Sequence, residues 1–172
     1  MEGYLYKMAI RYPEASIELP AELEQTISNE FITENDCIIL KGLGGNEQNP
    51  KFESDLEKCE WEYNETHFHP DEYSAKNADE LDFLLFALES SKRLAHRLQE
   101  QFPTKAFRIV ASFCETHKDH LGRVESYGSS TVRFYQIRRS YENRMRSHDI
   151  SEFQLDAISE IEIGPSSPDG NS

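Results

Sequence analysis

Residues 77–113 read NADELDFLLFALESSKRLAHRLQEQFPTKAFRIVASF, and they carry the strongest structural signal in the chain. Leu81, Leu84, Leu85, Leu88, Ala95, Leu98 and Phe102 recur at spacings of three, four and seven, the pattern of one apolar stripe on a helix. Asn77 with Glu80 three residues later makes a capping-box-like start. Asp79 and Asp82 stand in the first turn, Arg93 and Arg97 come late, and Pro103 closes the segment. The spacing predicts one amphipathic helix over about 79–102. Directly after it the period changes: Phe107, Ile109, Ala111 and Phe113 alternate with Arg108, Val110 and Ser112, as in a strand with one buried face.

Working outward, Ser130 to Arg138 and Ala157 to Ile163 also read as strands. The polar stretch 114–129 between two strands predicts a long hairpin loop, of a length uncommon unless the loop has work to do. Upstream, residues 4–12 alternate as a strand until Pro13. Leu19, Leu23, Ile27 and Phe31 recur every four residues and predict a short helix over about 20–31. Cys37 to Leu40 reads as a brief apolar strand entering a glycine-rich loop. From Leu56 to Phe68 the alternation of Leu56, Lys58, Glu60 and Glu62 with Glu57, Cys59, Trp61 and Tyr63 predicts a half-exposed strand. Strands flanking a long helix predict an α+β fold, a mainly antiparallel sheet with the 79–102 helix on one face. A single domain over 1–163 is expected, with GPSSPDGNS (164–172) as a disordered tail.

The 172 residues carry 18 bases and 32 acids, a net charge of −14. Residues 1–82 hold twenty acids against six bases, so the first part of the chain accounts for the whole surplus. Residues 83–148 hold twelve bases against six acids, and residues 149–172 hold six acids and no base. That balance argues against direct contact with nucleic acid or an anionic membrane and favours a basic protein partner. No run approaches the 18 apolar residues of a membrane span, and Met1-Glu2 does not open a secretory leader, so a cytoplasmic location is expected. Cys37, Cys59 and Cys114 are too scattered for a disulfide framework or a CxxC knuckle.

Lys41 to Gly45 (KGLGG) follows a strand but lacks GxGxxG, lacks GK[ST], and runs into Asn46 and Pro50 instead of a helix. It reads as a turn. His67 and His69 alternate on a strand and could share a metal ion, with Asp71 or Glu72 adding oxygen. A metal-binding protein or metal-dependent enzyme built on His67 and His69 is the alternative reading to a protein that only binds a partner. Cys114, His117 and His120 have ligand-like spacing but lie in a charged loop. Arg133, Arg138, Arg139, Arg144 and Arg146, interleaved with Tyr135 and Tyr141, form the one basic aromatic patch. No nucleophile elbow or cysteine–histidine frame is present, so no catalytic residue and no cofactor is assigned.

KRLAHRLQEQFP (92–103), KAFRIVASF (105–113), STVRFYQIR (130–138), DISEF (149–153) and AISEIEI (157–163) together resemble small bacterial immunity-type proteins, which neutralise a toxin encoded beside them. The resemblance covers residues 80–163. It implies an acidic α+β protein that works by occupying a partner's surface, with no catalytic residue to carry over; together with the acidic half of the chain, the expectation is a non-enzymatic immunity or inhibitor protein that caps a basic surface such as that of a nuclease toxin. Charge placement separately nominates Glu57, Glu60, Glu62 and Glu65 on or near the exposed strand, with Asp71 and Glu72 after it, as partner contacts. A nucleic-acid mimic directed at a DNA-binding protein would share this acidic face.

Overall fold

The computed structural model describes residues 17–43, 56–68, 80–138 and 157–165. The expected strand at 4–12, Gly44 and Gly45, His69, Asp71, Glu72, the first residues of the 79–102 helix, the 139–156 segment and most of the 164–172 tail lie outside them. In chain order the described elements are α1 (Ala21–Ser28), β1 (Phe31–Glu34), β2 (Cys37–Leu40), α2 (Leu56–Tyr63), β3 (Glu65–Phe68), α3 (Glu80–Gln101), β4 (Phe107–Cys114), β5 (His117–Lys118), β6 (Val124–Ser126), β7 (Ser129–Gln136) and β8 (Ala157–Ile163).

The fold is α+β. Strands β3, β7, β4 and β8 form a four-stranded antiparallel sheet in that order, β1 pairs β2, and β5 pairs β6. The long helix α3 lies on the sheet, as the apolar stripe predicts. Phe107, Ile109 and Ala111 of β4 and Val132 and Phe134 of β7 meet Phe83, Ala87, Leu94, Ala95 and Leu98 of the helix in the main core. The stripe is wider than its leucines suggest. Leu81, Leu84 and Leu85, with half-buried Leu88, form a second cluster around Phe113, while Phe83, Ala87 and Leu94 take the central positions. No helix among the described residues is long and apolar enough to cross a membrane.

Two elements differ from expectation. Residues 56–63 are helical, and only 65–68 form a strand. Leu56, Cys59 and Tyr63 stand at i, i+3 and i+7 and pack on Cys37 and Ile39, so helical burial overrides a two-residue alternation made mostly of charged and polar residues. Helix α1 stops at Ser28, and Phe31 belongs instead to β1. Asn35 (φ 49°) and Asp36 (φ 67°) close the β1–β2 hairpin as a two-residue turn with both centres left-handed, a conformation that Asn and Asp tolerate and that matches strand twist. Beyond β2, Gly42 has φ +87°, and a Cβ there would lie 3.0 Å from the Asn29 amide that bonds the Lys41 carbonyl.

Strand β2 is apolar at all four positions because both of its faces are covered. Ile38 and Leu40 enter the main core, and Cys37 and Ile39 face α2. Helix α1 has no basic residue in its own last turn, and α3 supplies one. The Arg97 guanidinium donates to the carbonyls of Ile27 and Asn29 and sits 4.8 Å over the Phe31 ring. Phe31 in turn meets Phe102 and Phe134 edge-on at 5.6 and 5.9 Å, which ties hairpin, helix and sheet into one core.

Leu94→Ala should cost about 2–5 kcal/mol, because its side chain is fully enclosed between helix and sheet. Leu88→Ala, at the half-buried rim, should cost less than half as much. Urea midpoints of the two variants measure both.

Candidate interaction face and the carboxylate clamp beneath it

Helix α2 presents its acids to very different surroundings. Glu60, expected on an exposed strand, is 0% accessible. Its Oε1 accepts from the Ile38 amide (2.8 Å) and Arg138 Nη2 (2.9 Å), and its Oε2 from the Gln136 amide (2.7 Å) and Arg138 Nη1 (3.0 Å). The carboxylate is thus bidentate to one guanidinium and bonded to two strands at once. Arg138 Nη2 also donates to the Asp36 carbonyl at 2.7 Å. One turn on, Asn64 accepts from the Leu40 amide (2.9 Å), and its side-chain amide donates to the Ile38 carbonyl (2.7 Å), the pattern a neighbouring strand would offer. Its own carbonyl accepts from the Phe134 amide at 3.3 Å. Helix α2 and its terminus therefore close the outer edge of β2 and extend the line of acceptors for β7 past the end of β3.

Glu65 lies on the sheet face opposite α3, since its neighbours Thr66 and Phe68 point inward. It pairs with Arg133, directly across in the register, and with His67 Nε2 at 2.8 Å. His67 Nδ1 is 3.2 Å from the Thr131 hydroxyl, again its cross-strand partner. A neutral imidazole donating from Nε2 and accepting at Nδ1 satisfies both contacts. The order hydroxyl, imidazole, carboxylate resembles a proton relay. Arg133 holds the same carboxylate oxygen from across the strand pair. Arg133 also stacks 4.8 Å over Trp61, which meets Tyr135 edge-on, and Arg108 bridges the Tyr135 hydroxyl and Glu162.

The nominated residues thus separate. Glu60 is corrected from a surface contact to a buried clamp, because it falls on the inward side of a helix and not on the outward side of a strand. Glu65 is engaged by Arg133 and His67, and Glu62 is exposed. Glu57 lies in α2 without a described side chain, and Asp71, Glu72 and His69 lie outside the described residues. His67 is 54% exposed, and among the described residues no three His, Cys, Asp or Glu side chains gather as a metal site. Of the basic patch, Arg133 and Arg138 are in internal ion pairs, and Arg139, Tyr141, Arg144 and Arg146 lie outside the described residues. Leu56, Cys59 and Tyr63 at helical spacing around Glu60 were the signal that could have placed it inside.

The 114–129 stretch is not wholly a loop, since it contains the β5–β6 ribbon. Its tip is built around Asp119, whose Oδ1 accepts from the amides of Leu121 and Arg123 (both 2.8 Å) and whose Oδ2 pairs with Arg123 Nε at 2.7 Å. These bonds, the Arg123 amide foremost, hold the Asp119 carboxyl below its ordinary value. Leu121 (65% exposed), Val124 and Tyr127 project from the ribbon into solvent, while His117 and His120 are exposed beside them. No protein-family model matches the chain, and no curated protein and no solved structure matches it either.

Glu60→Gln should cost about 3–5 kcal/mol in chemical unfolding, because it strands the Arg138 charge and sets an amide donor against a strand amide. Glu62→Gln should stay within about 0.5 kcal/mol. Burial pushes the Glu65 carboxyl up, but hydrogen bonds from His67 and Arg133 outweigh it and leave the group below its ordinary value. A depressed folded-state value means the unfolded chain binds the proton first as pH falls. The Glu65 contribution is therefore complete above the ordinary carboxylate range and disappears as pH drops through the folded value. Arg133→Gln should flatten that acid limb, measurable as urea midpoints between pH 6 and pH 3.

Proposed function

We propose that the chain is a non-enzymatic binding protein that neutralises a basic protein partner, in the manner of an immunity protein acting on a nuclease toxin. One observation carries the reading. The arginines of the described residues are engaged from within: Arg93 by Glu24 and Glu89, Arg108 by Glu162, Arg123 by Asp119, Arg133 by Glu65, Arg138 by Glu60, and Arg97 by the end of α1. The chain carries 32 acids against 18 bases, and Glu18, Glu34, Glu62, Glu125 and Glu160 are exposed.

The acidic face lies on the outer surface of the β1–β2–α2 unit, where Glu34 and Glu62 are accessible. A field of this sign steers encounter with a cationic active site, since it offers the charge that a phosphate-binding site attracts. The β5–β6 ribbon adds a second kind of contact. Exposed Leu121, on the turn held by Asp119, is suited to anchor in an apolar recess at little ordering cost.

Affinity capture from the native host at low salt should recover a basic protein whose nuclease activity the purified chain inhibits. Recovery of the chain alone at every salt concentration would refute the reading. Replacing Glu34 and Glu62 together by lysine should slow association at least threefold and flatten its salt dependence, with the unfolding midpoint nearly unchanged. Stopped-flow or surface-binding kinetics at several ionic strengths supply the comparison.

A further inference from the structure

Cys37 opens β2 and Cys59 lies in the middle of α2, 22 positions apart, yet their sulfur atoms stand 3.2 Å from each other. Both thiols are reduced and both are buried, at 0% and 1% exposure. They occupy the apolar seam between hairpin and helix, with Ile39 beside them and half-buried Leu56 and Tyr63 packed around. Residue 60 follows immediately, and its clamp to Ile38 and Arg138 fixes the two backbones that carry the sulfurs. A disulfide needs sulfurs about 2.05 Å apart, so closure asks for an approach of about 1.2 Å, within the reach of χ rotations. Cys114, the third cysteine, is in β4 on the four-stranded sheet.

We infer that Cys37 and Cys59 are a modification site, the two halves of an intramolecular disulfide that locks α2 onto the β1–β2 hairpin in the presence of a small-molecule disulfide oxidant. In the first step one cysteine thiolate attacks a sulfur of oxidised glutathione, forms a mixed disulfide and expels one glutathione thiolate. In the second step the other cysteine thiolate attacks the protein-side sulfur of that mixed disulfide and expels the second glutathione. The protein loses two electrons and two protons, and oxidised glutathione becomes two reduced molecules. Burial pushes the Cys37 thiol up, with further contributions from its bond to Cys59 and from the Glu60 carboxylate. Attack therefore awaits an opening of the seam or the unfolded chain, and the bond, once formed, is shielded in the same way. The pair is a slow staple and not a fast sensor. This inference does not depend on partner binding.

The experiment unfolds and refolds the full chain in glutathione buffers of graded oxidised-to-reduced ratio, then labels the remaining thiols under denaturing conditions and weighs the product. In oxidising buffer the intact mass should fall by two hydrogen atoms, one label should attach instead of three, and peptide mapping should join Cys37 to Cys59. The melting temperature should rise by about 5–10 °C over that in reducing buffer, since closing a loop of this length restricts the unfolded chain. Cys114→Ser should keep the whole response, and Cys59→Ser should abolish it. Three labels at every ratio, or a bond that includes Cys114, would overturn the inference and leave the pair as packed thiols sharing a hydrogen bond.

Discussion

A buried carboxylate joins two sheets. The β1–β2 hairpin and the four-stranded sheet do not share a strand, and the seam between them is crossed by Glu60, which takes an amide from β2, an amide from β7 and both terminal nitrogens of Arg138. Removing a carboxylate from water costs several kcal/mol, and only a complete set of donors offsets it. Here all four lone-pair positions are answered. The arrangement stabilises the fold only as a whole, because loss of any one member leaves charge or a polar group buried without its complement. Asn64 extends the same logic by standing in for a strand along the edge of β2.

The parts of the fold legible in the sequence were those where burial has one period. Helix α3 and strand β4 each bury a single face, so the spacing of Leu84, Leu98, Phe107 and Ile109 reports the structure directly. Helix α2 escaped because its inward face holds a glutamate. A pattern scored by polarity places Glu60 outside with Glu57 and Glu62, and the three apolar positions left behind fit a strand as readily as a helix. The information that decides the matter is Arg138, 78 positions away, and no local window contains it. The short β1 strand was hidden for a related reason. Phe31 continues a four-residue spacing with Ile27, but it is drawn into the ring contacts with Phe102 and Phe134, and the Asn35–Asp36 turn then fixes the hairpin.

The candidate site was legible only in part for the same physical reason. Charge composition points to an acidic surface, but composition does not distinguish a carboxylate that faces water from one that faces an arginine. Glu60 and Glu65 belong to the second kind, and Arg133 and Arg138, the core of the apparent basic patch, are their counterparts. Acidic and basic segments of the chain have thus partly cancelled in folding. What remains outward is set by which side of α2 and of each strand a given acid falls on, as the contrast between Glu60 and Glu62, two positions apart, illustrates.

The capping of α1 by Arg97 has a consequence for the order of events during synthesis. An eight-residue helix is too short to persist alone in water, and the cation that satisfies its last carbonyls lies 70 positions downstream. At ordinary elongation rates of about 5–20 residues per second, that stretch takes roughly 4–14 seconds to appear. Throughout that interval Leu23 and Ile27 have emerged without the helix that will cover them. Helix α1 is therefore the part that waits, and its consolidation belongs after α3 has left the ribosome.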